Sequence, residues 1–216
     1  MGSVKFGEKV DGYAIEVLNE REIRAAAGLL FLMMFLSVVQ VVFKWNFFPL
    51  KLATTAFLID ISIRVLVSPR FSPALIIGRW IVRNQVPEYV GAVQKKFAWI
   101  IGVVLSATMF ISLVILNLHS PVNGIICMVC MLFLFFESAF GICLGCKAYS
   151  LFYGKKAELC PGEVCDPKAK QPIQLISRAQ TLTVVGFVIL ISIVGYLSKS
   201  HFEKVPELIW GMQKPE

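Results

Sequence analysis

Charge is what this chain has least of: 16% of its 216 residues are Asp, Glu, Lys or Arg, against 57% that are hydrophobic. A soluble domain carries about 25% charged residues, so this one lacks the polar surface that water requires. Histidine is scarcer still. The 2 histidines, His119 and His201, stand far apart, which argues against a histidine-built metal centre or a Ser-His-Asp set and reads as interfacial packing. There is no phosphate-binding Walker loop, dinucleotide fingerprint or metalloprotease motif. The net charge is +7, but no basic stripe is interleaved with aromatics, so nucleic acid is set aside as a partner. No small-residue cleavage site follows the first apolar block, so the first helix is expected to stay as an anchor.

What the chain does have is long apolar runs, with a mean hydropathy of +0.74. A helix needs roughly 20 predominantly apolar residues to cross a hydrocarbon core, and five blocks approach that length. They run over 25–43, 50–67, 97–118, 124–146 and 181–197. The expected fold is therefore an all-α integral membrane protein, a bundle of about five transmembrane helices with the lipid bilayer as its first partner. A polar segment, 1–24, precedes a four-helix core, 25–146. A cysteine-containing loop, 147–180, then leads to a fifth helix and tail, 181–216. Trp45, Phe47 and Phe48 read as an interfacial aromatic belt, and Pro49 as a break. Between spans two and three, Ser72–Arg83 is too short to cross. It mixes apolar residues with Arg79, Trp80 and Arg83, as an amphipathic helix lying in the interface does.

Sidedness follows from Lys and Arg. The amino-terminal segment carries four, the loop between spans two and three five, and the loop before the fifth span six. The other side carries two, none and three. The bias places the amino terminus in the cytoplasm and the carboxy terminus outside.

Ionisable residues inside the apolar blocks are costly and need partners. Lys51, at the outer end of span two, can snorkel to the interface. Asp60 and Arg64 stand four residues apart and share a helical face, as an ion pair or as part of a path for an ion or polar substrate. Glu137, placed near mid-membrane, lies seven residues from Cys130 on one face, as a proton relay or a hydrogen-bonding group between helices.

The six cysteines fall in three pairs within 39 residues: Cys127 with Cys130, Cys143 with Cys146, and Cys160 with Cys165. Cys127 and Cys130, near the outer face, read as packing, with a secondary thiol pair as the other possibility. The other four face the cytoplasm, where stable disulfides are rare. Pro161-Gly162 favours a turn between Cys160 and Cys165. Lys147 beside Cys146 favours the thiolate, whereas a helix carboxy-terminal end opposes it. Three readings stand side by side for Cys143, Cys146, Cys160 and Cys165. They form a working set passing electrons or sulfur, a four-cysteine zinc site, or reduced thiols without a task. Gly141 and Gly145 form a small-xxx-small element, read as a close helix contact.

Several segments bear a specific likeness. They are Asn19–Gly28, Ile59–Arg64, Ser68–Pro73, Val82–Gly91, Gln94–Trp99, Phe136–Lys147 and Cys160–Cys165. Over about 15–170 the chain resembles a bacterial membrane family known as a domain of unknown function, number forty-three ninety-five. The resemblance implies a multi-helix protein of the bacterial inner membrane with thioredoxin-like and sulfurtransferase partners, and carries over no catalytic residue. Two positions depart from it: Val93 stands in place of a proline and Glu163 in place of a glycine. The leading functional expectation is thiol redox or reduced-sulfur handling at a cytosolic cysteine cluster. The alternatives are a transporter or channel for a small sulfur species or ion, acting through Asp60, Arg64 and Glu137, and a scaffold with a zinc-bound loop.

Overall fold

Asn19 opens the first helix by accepting a hydrogen bond from the Arg21 amide on its side-chain oxygen, at 3.2 Å. Glu20 and Glu22 in the first turn complement the positive end of the helix dipole. This helix, α1 (Glu20–Lys44), is the centre of the bundle. The structure is a computed structural model that describes residues 6–13, 15–145 and 175–208.

After α1 the chain turns at Trp45, a left-handed residue with φ of 53°. Pro49 then sits in the first turn of α2 (Phe48–Ser62), where its missing N–H is harmless, so it starts this helix. The helix widens into a π turn, Ile63–Val67, and a single 3₁₀ turn, Pro69–Phe71, leads to α3 (Pro73–Val82). Helix α4 (Ala92–Phe110) also ends in a π turn, Ile111–Ile115. Helices α5 (Pro121–Phe140), α6 (Arg178–Leu197) and the short α7 (Lys199–Phe202) complete the order. Four helical stretches are long and apolar enough to cross a membrane: Glu20–Lys44, Ala92–Ile115, Pro121–Phe140 and Arg178–Leu197. The stretch formed by α2 and its π turn carries Lys51, Asp60 and Arg64.

Two short β pairs tie the helix ends. At one end β1 (Val17–Asn19) pairs antiparallel with β2 (Tyr89–Gly91), holding the start of α1 beside the start of α4. At the other end β3 (Leu118–His119) pairs in parallel with β4 (Glu207–Leu208), so the tail returns to the turn between α4 and α5.

Ser72–Arg83 differs from its expected setting. The helix forms, but Ala74, Leu75, Ile76, Gly78 and Val82 are buried, and only its Trp80–Ile81 side is exposed. Gly78 explains the close fit, because a Cβ there would lie 2.6 Å from the backbone oxygen of Glu22 on α1. Helix α3 is thus a packed element of the bundle. The fourth span is shorter than its expected 124–146. Gly141 adopts φ of 66°, and its N–H and that of Ile142 close onto the carbonyls of Glu137 and Phe136, ending α5 there. The Gly141–Gly145 element is not one helix contact. Gly141 is a helix cap, and Gly145 alone makes the close approach: a Cβ there would lie 2.5 Å from the Ala98 Cβ of α4.

Candidate functional site

At the end of the bundle where α1 and α4 begin, buried charges are paired with one another. Asp60 is 2% exposed and Arg64 3%. The Arg64 Nε and Nη2 both donate to Asp60 Oδ2, at 2.9 and 2.6 Å. Asp60 Oδ1 accepts from the Ser72 hydroxyl at 2.8 Å and from the Ala74 amide at 2.9 Å. The carboxylate is therefore held on both oxygens, and it anchors the start of α3. The ion pair expected from the four-residue spacing is present. A buried carboxylate needs such a cage, because removing a charge from water costs several kcal/mol.

Glu137 differs from its expected place. It lies one turn before the end of α5, and Lys95 of α4 donates to its Oε1 at 2.6 Å. The same Lys95 Nζ lies 2.7 Å from Oε2 of Glu20 on α1, so one buried ammonium joins three helices. Alongside, Arg79 of α3 reaches Glu22 at 3.1 Å, and Arg21 reaches Glu88 at 2.5 Å. Lys95, Glu20, Glu22 and Arg79 did not stand out in the sequence, where they read as flanking or interfacial charge. The nearest signal was the density of acidic residues in Asn19–Arg24 opposite basic 79–96.

Between these groups lies a cleft bounded by α1, α2, α4 and α5. It is lined by Arg64, Trp99, Cys130, Glu137, Cys143 and Gly145 among others. The Arg64 guanidinium stands 5.3 Å from the Trp99 ring centre, in cation–π contact. Space for the centres of water-sized bodies amounts to about 50 Å³. Cys130 and Glu137 line it together, as their seven-residue spacing leads one to expect. Because α5 stops at Gly141, Cys143 lies beyond the helix and reaches this cleft; it is not on a helical carboxy-terminal turn.

Cys127 and Cys130 are both buried and are not joined in a disulfide. Cys127 packs with Met34, Phe47, Leu50 and Leu113, which agrees with its packing reading. Cys146, Cys160 and Cys165 lie outside the described residues, so the four-cysteine cluster and the alternative zinc site fall there with them. Among the described residues no group of three or more His, Cys, Asp or Glu is placed to hold a metal.

The opposite end has its own buried cation. Lys51 is 0% exposed and does not snorkel. Its Nζ donates to Asn117 Oδ1 at 2.5 Å and to the Lys204 carbonyl at 2.8 Å, with the His201 carbonyl at 3.4 Å. His201 Nε2 in turn meets the Val114 carbonyl in the π turn of α4. His119 stacks edge-on against Trp45 and Phe47, and burial among these rings pushes its pKa down from the ordinary histidine range. Both histidines pack and bond as structural groups, as their isolation implies.

Long apolar helices closed at one end by a buried ionic network and at the other by a buried lysine define a helical protein of the membrane type. The chain belongs to the family described as Domain of unknown function (DUF4395), whose model matches residues 18–153. The match covers α1 to α5, the two ends of the cleft and Cys143; α6 and the tail lie beyond it. No curated protein and no solved structure matches the chain.

Proposed function

We propose that this protein handles thiols or reduced sulfur at the cleft, as a multi-pass protein of a bacterial cytoplasmic membrane. In this reading α2 with its π turn is a fifth span, and α3 lies at the membrane interface with Trp80 and Ile81 outward. The amino terminus and the ionic end face the cytoplasm, and the carboxy terminus lies outside. Arg21, Arg64, Arg79 and Lys95 gather at the ionic end, which supports that orientation. A reporter fused after residue 208 is expected to be active only outside the cytoplasm, and cytoplasmic activity would reverse the assignment.

One observation carries the chemical reading: Cys143 lines the same cleft as Cys130, Arg64 and Glu137. A thiol there meets a guanidinium that favours negative charge and a carboxylate that can take its proton. A balanced step is sulfur transfer. A persulfide donor R–S–S⁻ yields its outer sulfur to the Cys143 thiolate, giving R–S⁻ and Cys143–S–S⁻. One sulfur–sulfur bond breaks as one forms, and no external oxidant is consumed. Thioredoxin-like and sulfurtransferase proteins are the partners with the matching chemistry. Cys146, Cys160 and Cys165 would receive the sulfur or close a disulfide.

The test is intact-mass analysis of anaerobically purified, alkylated protein, with and without reduction. The reading expects one added sulfur on Cys143, or alkylation of Cys143 that requires reduction. Free alkylation of all six cysteines without reduction, with no added sulfur, would remove its support.

A further inference from the structure

Arg64 is only partly used by its ion pair. Nε and Nη2 are committed to Asp60, while Nη1 makes no hydrogen bond to any described residue. The side chain is 4% exposed. An N–H donor of a buried guanidinium left without an acceptor is costly unless something in the cleft accepts from it. Resting on the sulfur-handling reading above, we infer that the cleft binds a small, singly charged, weakly hydrated anion of the hydrosulfide type, with Arg64 Nη1 as its donor and Cys143 beside it.

The walls set the class. Trp99, Phe57, Phe133 and Leu134 make most of the lining apolar. Stripping water from an ion costs most for small or doubly charged species, so a polarisable monoanion enters such a cleft where sulfate or phosphate does not. The volume agrees: about 50 Å³ for the centres of water-sized bodies holds roughly three to five of them. That suits hydrosulfide, hydropersulfide or thiocyanate and excludes a thiol peptide.

The charges facing the cleft also predict a pH effect. From α2 come Arg64 and its partner Asp60; from α5, Glu137 and Cys130; from α4, Lys95; from α1, Glu20 and, near Gly141, Arg24; beyond α5, Cys143. Glu20 and Glu137 share the one Lys95 ammonium, so an entering anion is repelled unless this pair takes up a proton. Anion binding and proton uptake are thereby coupled, and affinity rises as pH falls.

The test is calorimetric titration of the detergent-solubilised full chain with thiocyanate, which does not exchange with thiols, then with sulfide and sulfate. Saturable binding of thiocyanate and sulfide, none of sulfate, and tighter thiocyanate binding at lower pH are expected. Two variants locate the site. Asp60→Asn combined with Arg64→Gln removes the donor and keeps the pair neutral. Cys130→Leu fills the cleft and leaves the pair intact. Each should weaken thiocyanate roughly tenfold to a hundredfold, as expected for one hydrogen bond to a charged donor. Cys143→Ser should leave it unchanged. No saturable thiocyanate binding, or binding indifferent to both the double variant and Cys130→Leu, overturns the inference even where Cys143 is found to carry sulfur. Thiocyanate binding with a Cys143 that carries no sulfur sustains the anion site and overturns the transfer step alone.

Discussion

Asp60 is held by four donors from Arg64, Ser72 and Ala74, so removing one partner has a predictable cost. Arg64→Gln leaves a buried carboxylate without its cation and is expected to destabilise the protein by about 3–5 kcal/mol. The combined Asp60→Asn and Arg64→Gln change should cost clearly less, because no charge is stranded. Thermal unfolding in detergent of the two variants checks this; equal losses would mean the pair is not the stabilising unit. His119 gives a pH dependence. Its pKa in the folded chain is lowered from the ordinary 6.5 by burial, so the unfolded chain binds more protons between the two values. Stability is therefore full above about 6.5 and falls as pH drops towards the lowered value. A His119→Phe variant should lose that slope, seen as a transition temperature that no longer falls over this range.

At the scale of elements, the decisive feature is where α5 stops. Gly141 must be glycine for its positive φ, and any other residue strains the turn by about 1–2 kcal/mol. Gly145 must be small because Ala98 backbone lies 2.8 Å from where its Cβ would be. Gly145→Val is expected to cost about 1–3 kcal/mol by overpacking and to push the segment off α4. Cys143 should then alkylate faster than in the unaltered chain; an unchanged rate would mean that this contact does not hold the cleft closed. These details show what the sequence could and could not convey. Hydropathy marks α1, α4, α5 and α6 because membrane-length apolar runs have few other causes. The Asp60–Arg64 pair is legible because both members sit on one helix. Lys95 is not legible as the partner of Glu137, since 42 residues separate them and only the packing of α4 on α5 joins them. The burial of α3 is masked by Arg79, which looks interfacial until Glu22 is seen beside it.

At the scale of the molecule, the bundle is closed by different means at its two ends. One end has carboxylates and cations in pairs; the other has Lys51, surrounded by neutral oxygens of Asn117, His201 and Lys204. Lys51→Met removes the donor that the tail carbonyls share. Residues 199–208 should then exchange their amide hydrogens roughly tenfold to a hundredfold faster, from the loss of hydrogen bonds to a charged group. Exchange in α1 and α4 should hardly change. Equal exchange across the tail in both proteins would show that β3–β4 pairing suffices alone.

The Lys51 arrangement also sets an order of events during synthesis. Two of its three oxygens belong to residues about 150 positions further along the chain. While α2 is being inserted, those residues have not been made, and the ammonium has to stay in contact with water or lipid headgroups. Final burial of α2 at this end thus waits for the last part of the described chain, and a ribosome stalled before residue 201 would leave this lysine open to an amine-reactive reagent that cannot cross the bilayer.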